Sequence, residues 1–146
     1  MWRAQAESNW RRVTRSEAIA RLKPKPPVPP EERESFVGVT NAYLEHRLER
    51  IGHPAAVEGT PERLKTCACC QYRSLREPSH EVCRVCFWED DDTAEVDLIS
   101  GCNGLTLREA RQNFERFGAV REDLVAHVLR DGRERFAHES RERTRS

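Results

Sequence analysis

Two Cys-x-x-Cys pairs constrain the fold of this chain more than any other sequence feature. They are Cys67-Ala68-Cys69-Cys70 and Cys83-Arg84-Val85-Cys86, with twelve residues between them. A Cys-x-x-Cys turn places two thiolates on one side of a tight loop, and two such turns supply four sulfurs at about 2.3 Å from a tetrahedral zinc ion. Twelve residues are enough for a hairpin that runs out and returns. The spacing therefore predicts one zinc ion bound by Cys67, Cys70, Cys83 and Cys86.

The segment around the cysteines contains few residues that could form a core without a metal. Its large apolar residues are mainly Leu75, Val82, Val85, Phe87, Trp88, Leu98 and Ile99. Structural zinc contributes about 10–16 kcal/mol of apparent binding energy in small finger peptides, which is more than a core of this size supplies. Four protein ligands leave no coordination position open, so we expect a structural zinc and no catalytic one.

The remaining metal-binding and thiol-bearing residues have weaker signals. Disulfides or simple buried thiols are the alternative for the four cysteines. The N-terminus has no apolar leader, so we expect the cytoplasm, where thiols stay reduced. Cys69 could replace a neighbouring ligand, but we expect a spare thiol. We expect Cys102 to be a buried or loop cysteine, and His80 an exposed loop histidine. No stretch approaches the roughly 18 apolar residues of a membrane span.

Charge is distributed unevenly along the chain. The 146 residues carry 25 basic and 25 acidic side chains, and this balance argues against a general polyanion binder. Residues 1–30 nevertheless hold seven basic residues against two acidic ones, whereas residues 67–104 hold three basic against eight acidic. The chain therefore has a basic N-terminal segment and an acidic segment that carries all six cysteines.

An acidic run directly follows the aromatic pair Phe87-Trp88. It consists of Glu89, Asp90, Asp91 and Asp92. It could be a solvated charge run, a hard-cation site with Asn103, or a docking surface for a basic partner. Under the docking hypothesis we expect exposed carboxylates, with at least Asp91 and Asp92 lacking a partner within the chain.

Helix and turn signals divide the chain into four segments. Residues 1–30 are predicted to form a basic helix, with a capping box at Thr14 and Glu17, followed by a proline-rich spacer. Residues 31–63 are predicted as a helical extension, with a helix from Glu31 to Ile51 and a loop from His53 to Pro61. Residues 64–130 form the cysteine-rich zinc domain. Residues 131–146 are so charged that we expect a disordered tail.

Two amphipathic helices are predicted after the cysteines. Thr106 and Glu109 form a capping box, and Gly118 is a suitable C-cap. Apolar residues recur between them at three- and four-residue spacing: Leu107, Ala110, Phe114 and Phe117. We expect this stripe to pack on the zinc domain, with Trp88 beside it. A second helix is predicted from Arg121 to Arg130.

The cysteine motifs and the following helix resemble the bacterial cysteine-rich CPCC domain. The similarity covers about residues 64–129 and includes three blocks: Cys67-Ala68-Cys69-Cys70, Cys83-Arg84-Val85-Cys86-Phe87-Trp88-Glu89-Asp90, and Asn103-Gly104 before the helix. Two family prolines are replaced by Ala68 and Arg84, and a glycine by Gln71. The resemblance implies a small zinc-ribbon-like domain and no particular reaction. The expected fold is a small α+β zinc-ribbon-like domain followed by amphipathic helices, with an N-terminal helical extension.

Three classes of function are compatible with these features. The favoured hypothesis is a non-enzymatic structural-zinc module that binds another protein; a specific version is neutralisation of a basic partner such as a toxin. The alternative is a nucleic-acid-binding accessory protein that uses the basic N-terminal segment, where Trp2 and Trp10 are interleaved. An enzyme is disfavoured, because no GxSxG, HExxH or phosphate-binding glycine motif is present.

Overall fold

The chain folds into two units that meet in sequence between Glu62 and Arg63. A computed structural model describes residues 11–23, 34–76, 80–93 and 95–140. The units are Met1–Glu62 and Arg63–Ser146. The predicted proline-rich spacer and residues 141–146 of the predicted tail lie outside the described residues. Within the described part, no helix has the length and apolar character required to cross a membrane.

The N-terminal unit combines two helices with a two-stranded parallel sheet. Its elements are β1 (Arg11–Thr14), α1 (Arg15–Leu22), α2 (Asn41–Arg50) and β2 (Ala55–Glu58). Val13 of β1 lies opposite Val57 of β2, and both side chains are buried. The two helices lie between the strands in sequence and contribute Ala18, Leu44 and Leu48 to the core. The unit is therefore mixed α/β, and the predicted loop over residues 53–61 contains a strand.

Helix α2 begins later than the sequence predicts. The expected helix starts at Glu31, but residues 34–40 are not helical and α2 begins at Asn41. Gly38 adopts a left-handed φ of 74°, and the side chain of Thr40 accepts a hydrogen bond from the Tyr43 N–H as the N-cap. A left-handed residue followed by an extended N-cap ends any helix that approaches from the N-terminal side.

A buried arginine connects the loops of the N-terminal unit. The guanidinium of Arg15 donates to the Val39 carbonyl at 2.7 Å, to Asn41 Oδ1 at 2.7 Å and to Glu62 Oε1 at 3.2 Å. Glu62 also accepts from the Gly38 N–H, and this bond lowers the pKa of its carboxyl group. In the sequence Arg15 is one of several basic residues in the N-terminal segment. In the structure it is buried and holds loops of this unit together through its hydrogen bonds.

We expect Arg15→Met to lower the free energy of unfolding of the N-terminal unit by about 2 kcal/mol, because it removes charge-assisted hydrogen bonds from a mostly buried site. Arg12→Met is the matched control, since Arg12 pairs with Glu58 on the surface. An exposed pair of this kind contributes less than about 1 kcal/mol. Urea unfolding of the two variants measures the difference. Equal losses would contradict the assigned role of Arg15.

The C-terminal unit packs one long helix and several short elements around the cysteines. Its elements are β3 (Lys65–Thr66), β4 (Arg73–Leu75), α3 (Leu107–Phe117), a 3₁₀ helix (Glu122–His127) and α4 (Gly132–Arg135). Strands β3 and β4 form an antiparallel hairpin around the first cysteine pair. The core contains the four predicted ligands together with Leu75, Val85, Trp88, Leu107, Ala110, Val120 and Phe136.

Helix α3 agrees closely with the sequence analysis. Thr106 and Glu109 form the predicted capping box, and Gly118 ends the helix with a left-handed φ of 87°. Leu107, Ala110 and Phe114 are buried, whereas Phe117 is half-buried beneath the guanidinium of Arg116. The helix is linked to the second cysteine pair through the Val120 N–H, which donates to the Cys86 carbonyl at 2.8 Å.

The segment after α3 differs from the prediction in two ways. The expected helix from Arg121 to Arg130 is a 3₁₀ helix, Glu122–His127, without buried residues. It ends because the Leu129 N–H donates to the Arg84 carbonyl, which draws the backbone onto the second cysteine pair. The prediction of a disordered tail is wrong for residues 131–140, since Phe136 is buried. At Gly132 a Cβ would lie 3.3 Å from Val85 Cα, so a small residue permits this close approach.

Candidate metal centre

Each cysteine pair lies in a tight turn of the same design. In the first knuckle, residues 67–71, the Gln71 N–H donates to the Cys67 carbonyl at 2.9 Å. In the second knuckle, residues 83–87, the Phe87 N–H donates to the Cys83 carbonyl at the same distance. Gln71 and Phe87 both adopt a left-handed φ, of 67° and 73°. The chain then turns back, and the N–H groups of Cys67 and Cys83 donate to the carbonyls of Tyr72 and Trp88.

The two knuckles bring the four predicted ligands together. The sulfurs of Cys67, Cys70, Cys83 and Cys86 all lie within 4.8 Å of one another, and all four residues are buried. The Cys67–Cys86 and Cys70–Cys83 sulfur distances are 3.6 Å and 3.7 Å. A tetrahedral ion with bonds of about 2.3 Å separates its sulfurs by about 3.8 Å. The donor set therefore fits a single metal ion that prefers thiolates.

Burial and hydrogen bonding act in opposite directions on the four thiols. Burial raises the pKa of Cys70 and of Cys86. Burial also raises the pKa of Cys83, but hydrogen bonds from the neighbouring cysteines and Ser74 outweigh it and hold that pKa well below its usual value. Ligand thiols must lose their protons to bind a metal, so metal affinity falls as the pH falls.

Two residues that support the knuckles are missed by the sequence analysis. The hydroxyl of Ser74 lies 3.0 Å from Cys83 Sγ and is fully buried. Arg111 donates from Nε and Nη2 to the Ala68 carbonyl, at 3.1 Å and 2.9 Å. Arg111 lies four residues after Leu107 and three before Phe114, so helical spacing places it beside the buried stripe. That spacing was the available signal for Arg111.

Gln71 adopts a left-handed backbone conformation where the family motif has glycine. Its amide donates to the Ala68 carbonyl at 3.1 Å, which partly offsets the conformational cost. We expect Gln71→Gly to be more stable than Gln71→Ala by about 1 kcal/mol, because both variants lose the amide and only glycine relieves the backbone. Thermal unfolding of the two metal-loaded variants measures the difference. An alanine variant as stable as the glycine variant would contradict this assignment.

The other two cysteines and His80 lie outside the four-sulfur cluster. Cys69 is buried within the first knuckle, and Cys102 is exposed. Hydrogen bonding to Glu89 raises the pKa of the Cys102 thiol, which lowers its thiolate fraction and its reactivity. His80 is exposed, as expected, and its N–H donates to the Asp90 carbonyl.

The carboxylates of the acidic run have partners within the chain, which the docking hypothesis did not expect. Lys65 Nζ binds Asp90 at 2.6 Å and Asp92 at 2.8 Å, and Asp90 is buried. Asp91 accepts a hydrogen bond of 2.5 Å from the Ser100 hydroxyl. The expectation that Asp91 and Asp92 lack partners within the chain is therefore wrong. Lys65 is 25 residues from Asp90 in sequence, so local charge patterning does not predict the pair.

The side chain of Asn103 binds the backbone of Glu89. The Asn103 side chain accepts from the Glu89 N–H at 2.8 Å and donates to the Glu89 carbonyl at 2.9 Å. This amide therefore ties the acidic run to the loop before α3. The Glu89 side chain is half-buried. Lys65, Ser100 and Asn103 therefore attach the acidic run to the rest of the C-terminal unit.

Comparison with known families agrees with the geometry of the cysteines. Residues 65–135 match the family model described as Cysteine-rich CPCC. Comparisons with curated proteins and with solved structures gave no significant match. The match includes both knuckles, helix α3 and the C-terminal segment through α4, and thus the whole candidate metal centre. Residues 65–135, just under half of the chain, therefore match the cysteine-rich CPCC family.

Proposed function

We propose that the CPCC domain is a non-enzymatic, zinc-ribbon-like module held together by one structural zinc ion. The observation that carries this proposal is the cluster of four buried cysteine sulfurs within 4.8 Å of one another. A set of four thiolates favours zinc over harder cations, and it fills the tetrahedral shell, leaving no position for a substrate or a reactive water. The β3–β4 hairpin and the paired knuckles support a ribbon-like fold.

The polar clusters of the domain support a non-enzymatic role. Among the described residues, Ser140 and His138 form a serine–histidine pair, in which the hydroxyl lies 2.7 Å from Nδ1. These residues are near neighbours in sequence, and the Ser140 N–H also donates to Nδ1. Among the described residues, no carboxylate forms a hydrogen bond with the His138 ring. A local serine–histidine contact of this kind lacks the third group that orients a catalytic base.

The proposed binding surface is acidic and aliphatic, and its described residues are 92–93 and 95–99, called here the acidic and aliphatic loop. Leu98 and Ile99 are 60% and 68% exposed, the two most exposed large apolar side chains in the described part of the chain. The carboxylates of Asp92 and Asp97 lie at the surface, although each pairs with one cation. We propose that this loop binds a basic protein, with the aliphatic pair giving contact area and the acidic side chains steering association. A more specific form of this proposal is that the basic protein is a toxin, which the loop neutralises by binding it.

Affinity capture from the source cells with three forms of the full chain tests this surface. We expect the unaltered chain to retain a basic partner and Leu98→Ser/Ile99→Ser to lose it. Val125→Ser is the control, because Val125 is also exposed but lies on the 3₁₀ helix. Retention should weaken as salt rises, since screening acts over about 8 Å at physiological ionic strength. The same partner retained by the double variant would contradict the proposal.

Nucleic-acid binding through the basic N-terminal segment has less support. In the described part of that segment, Arg15 is buried and binds Glu62, and Arg12 pairs with Glu58. These two arginines are therefore engaged within the unit and not presented together to a phosphate backbone. Salt-dependent binding of the full chain to double-stranded DNA or RNA would favour this alternative over protein binding.

A further inference from the structure

An open groove of about 560 Å³ lies beside the first knuckle. It is lined, within the C-terminal unit, by helix α3, the end of the first knuckle, helix α4 and the segment after α4. This volume falls in the range typical of small-molecule sites. Its lining includes four residues that carry hydrogen-bond donors: Arg111, Arg133, His138 and Tyr72.

Arg111 presents a fixed guanidinium to the groove. Its Nε and Nη2 atoms both donate to the Ala68 carbonyl, which fixes the plane of the group. Its Nη1 atom makes no hydrogen bond within the described part of the chain, and no carboxylate there pairs with the group. The remaining donors of Arg111 are therefore held in place without an internal anion.

Arg133 reaches the same groove from α4. Its guanidinium carbon lies 4.4 Å from the centre of the Phe114 ring, so the cation stacks on an aromatic face. Its one hydrogen bond among the described residues is a long contact of 3.4 Å with the Phe114 carbonyl. Stacking leaves the edge of a guanidinium available for a bidentate contact.

His138 and Tyr72 add neutral donors. The His138 Nδ1 atom accepts the Ser140 N–H at 3.2 Å, so the proton of the neutral ring lies on Nε2. The Tyr72 ring packs edge-to-face against His138 at a centroid distance of 4.7 Å. The Tyr72 hydroxyl and His138 Nε2 make no hydrogen bond among the described residues. Each can therefore donate to a bound ligand.

The charge of the groove has two explanations. Glu115 is the one acidic residue in its lining, and in the described structure it pairs with neither arginine. The arginines could offset the negative charge of the metal-bound thiolates, or they could bind a separate anion. The second explanation accounts better for Arg133, which stacks on Phe114 and, among the described residues, makes no hydrogen bond with a cysteine sulfur.

We propose that this groove binds the phosphate group of a small phosphorylated molecule, a function that goes beyond the zinc-dependent protein binding proposed above. Guanidinium groups bind phosphate through parallel N–H···O bonds, and two of them from different elements can bind different oxygens of one phosphate. His138 Nε2 and the Tyr72 hydroxyl supply further donors to the same ligand.

Titration of the zinc-loaded full chain with inorganic phosphate and with phenyl phosphate, at constant ionic strength, tests the proposal. Arginine Nε–Hε resonances in NMR spectra report binding at each guanidinium. We expect saturable shifts of Arg111 and Arg133 with a dissociation constant of roughly 1 mM, and about tenfold weaker binding in Arg133→Gln. Tighter binding of phenyl phosphate than of phosphate would identify an organic ester as the ligand, whereas equal binding would identify free phosphate.

Arg116→Gln is the matched control, because Arg116 lies on α3, stacks on Phe117 at 5.1 Å and does not line the groove. It should bind phosphate as the unaltered chain does. Three results would overturn the proposal: no saturation with either probe, equal weakening by Arg116→Gln and Arg133→Gln, or loss of zinc in Arg133→Gln with phosphate binding unchanged. The last result would assign Arg133 to the metal-bound thiolates.

Discussion

A Cys83→Ser/Cys86→Ser variant is expected to lose its metal, and its residues 65–135 are expected to unfold. Four buried thiols without a metal leave a small core, whereas structural zinc supplies about 10–16 kcal/mol of apparent binding energy in comparable peptides. Amide hydrogen exchange across residues 65–135 should show protection in the zinc-loaded chain and little in the variant. Chelation of the unaltered chain should give the same loss.

Two comparisons make this result specific to the metal. Cys102→Ser should keep both zinc and hydrogen-exchange protection, because Cys102 is exposed and outside the four-sulfur cluster. The N-terminal unit should keep its protection in the double variant, since it is a separate compact unit with its own core. A double variant that remained protected across residues 65–135 would show that the fold does not depend on the metal.

Phe114→Ala is expected to lower the free energy of unfolding of the C-terminal unit by about 3–5 kcal/mol. The Phe114 side chain is 8% exposed, and its ring also supports the guanidinium of Arg133. Truncation therefore leaves a cavity and removes a cation–aromatic contact. Denaturant unfolding of the zinc-loaded protein measures the loss.

Phe117→Ala serves as the matched control on the same helix. Phe117 is half-buried and stacks with Arg116 near the surface, so its truncation should cost less than half as much as that of Phe114. Equal losses for the two variants would contradict the greater burial of Phe114. A larger loss for Phe117 would mean that the packed stripe of α3 is centred on Phe117 and not on Phe114.

The features that could be predicted from the sequence depend on neighbouring residues. The spacing of the cysteines identified the four sulfurs that the structure brings together, because a Cys-x-x-Cys turn is set by a few residues. Thr106, Glu109 and Gly118 marked the ends of α3 for the same reason, since capping requires partners within one turn. These signals do not need the tertiary fold.

The features that the sequence missed depend on residues far apart in the chain. Two of the four residues in strand β1 are arginines, and the strand pairs with β2 more than 40 positions later, so no local pattern identifies it. The acidic run looks solvated in sequence, but Lys65 approaches it only when the hairpin has formed. The tail beyond Asp131 is highly charged, but Phe136 is buried in the core, with Arg84 stacked on its ring at 4.8 Å, and the Arg73 N–H donates to the Ala137 carbonyl.

Native mass spectrometry of the purified full chain, combined with elemental analysis, determines whether the four clustered cysteines bind zinc. We expect one zinc ion per chain in the unaltered protein and in Cys102→Ser, and none in Cys83→Ser/Cys86→Ser. A chain that carries no metal when purified under reducing conditions, or a double variant that retains its zinc, would contradict the assignment of Cys67, Cys70, Cys83 and Cys86 as the ligands.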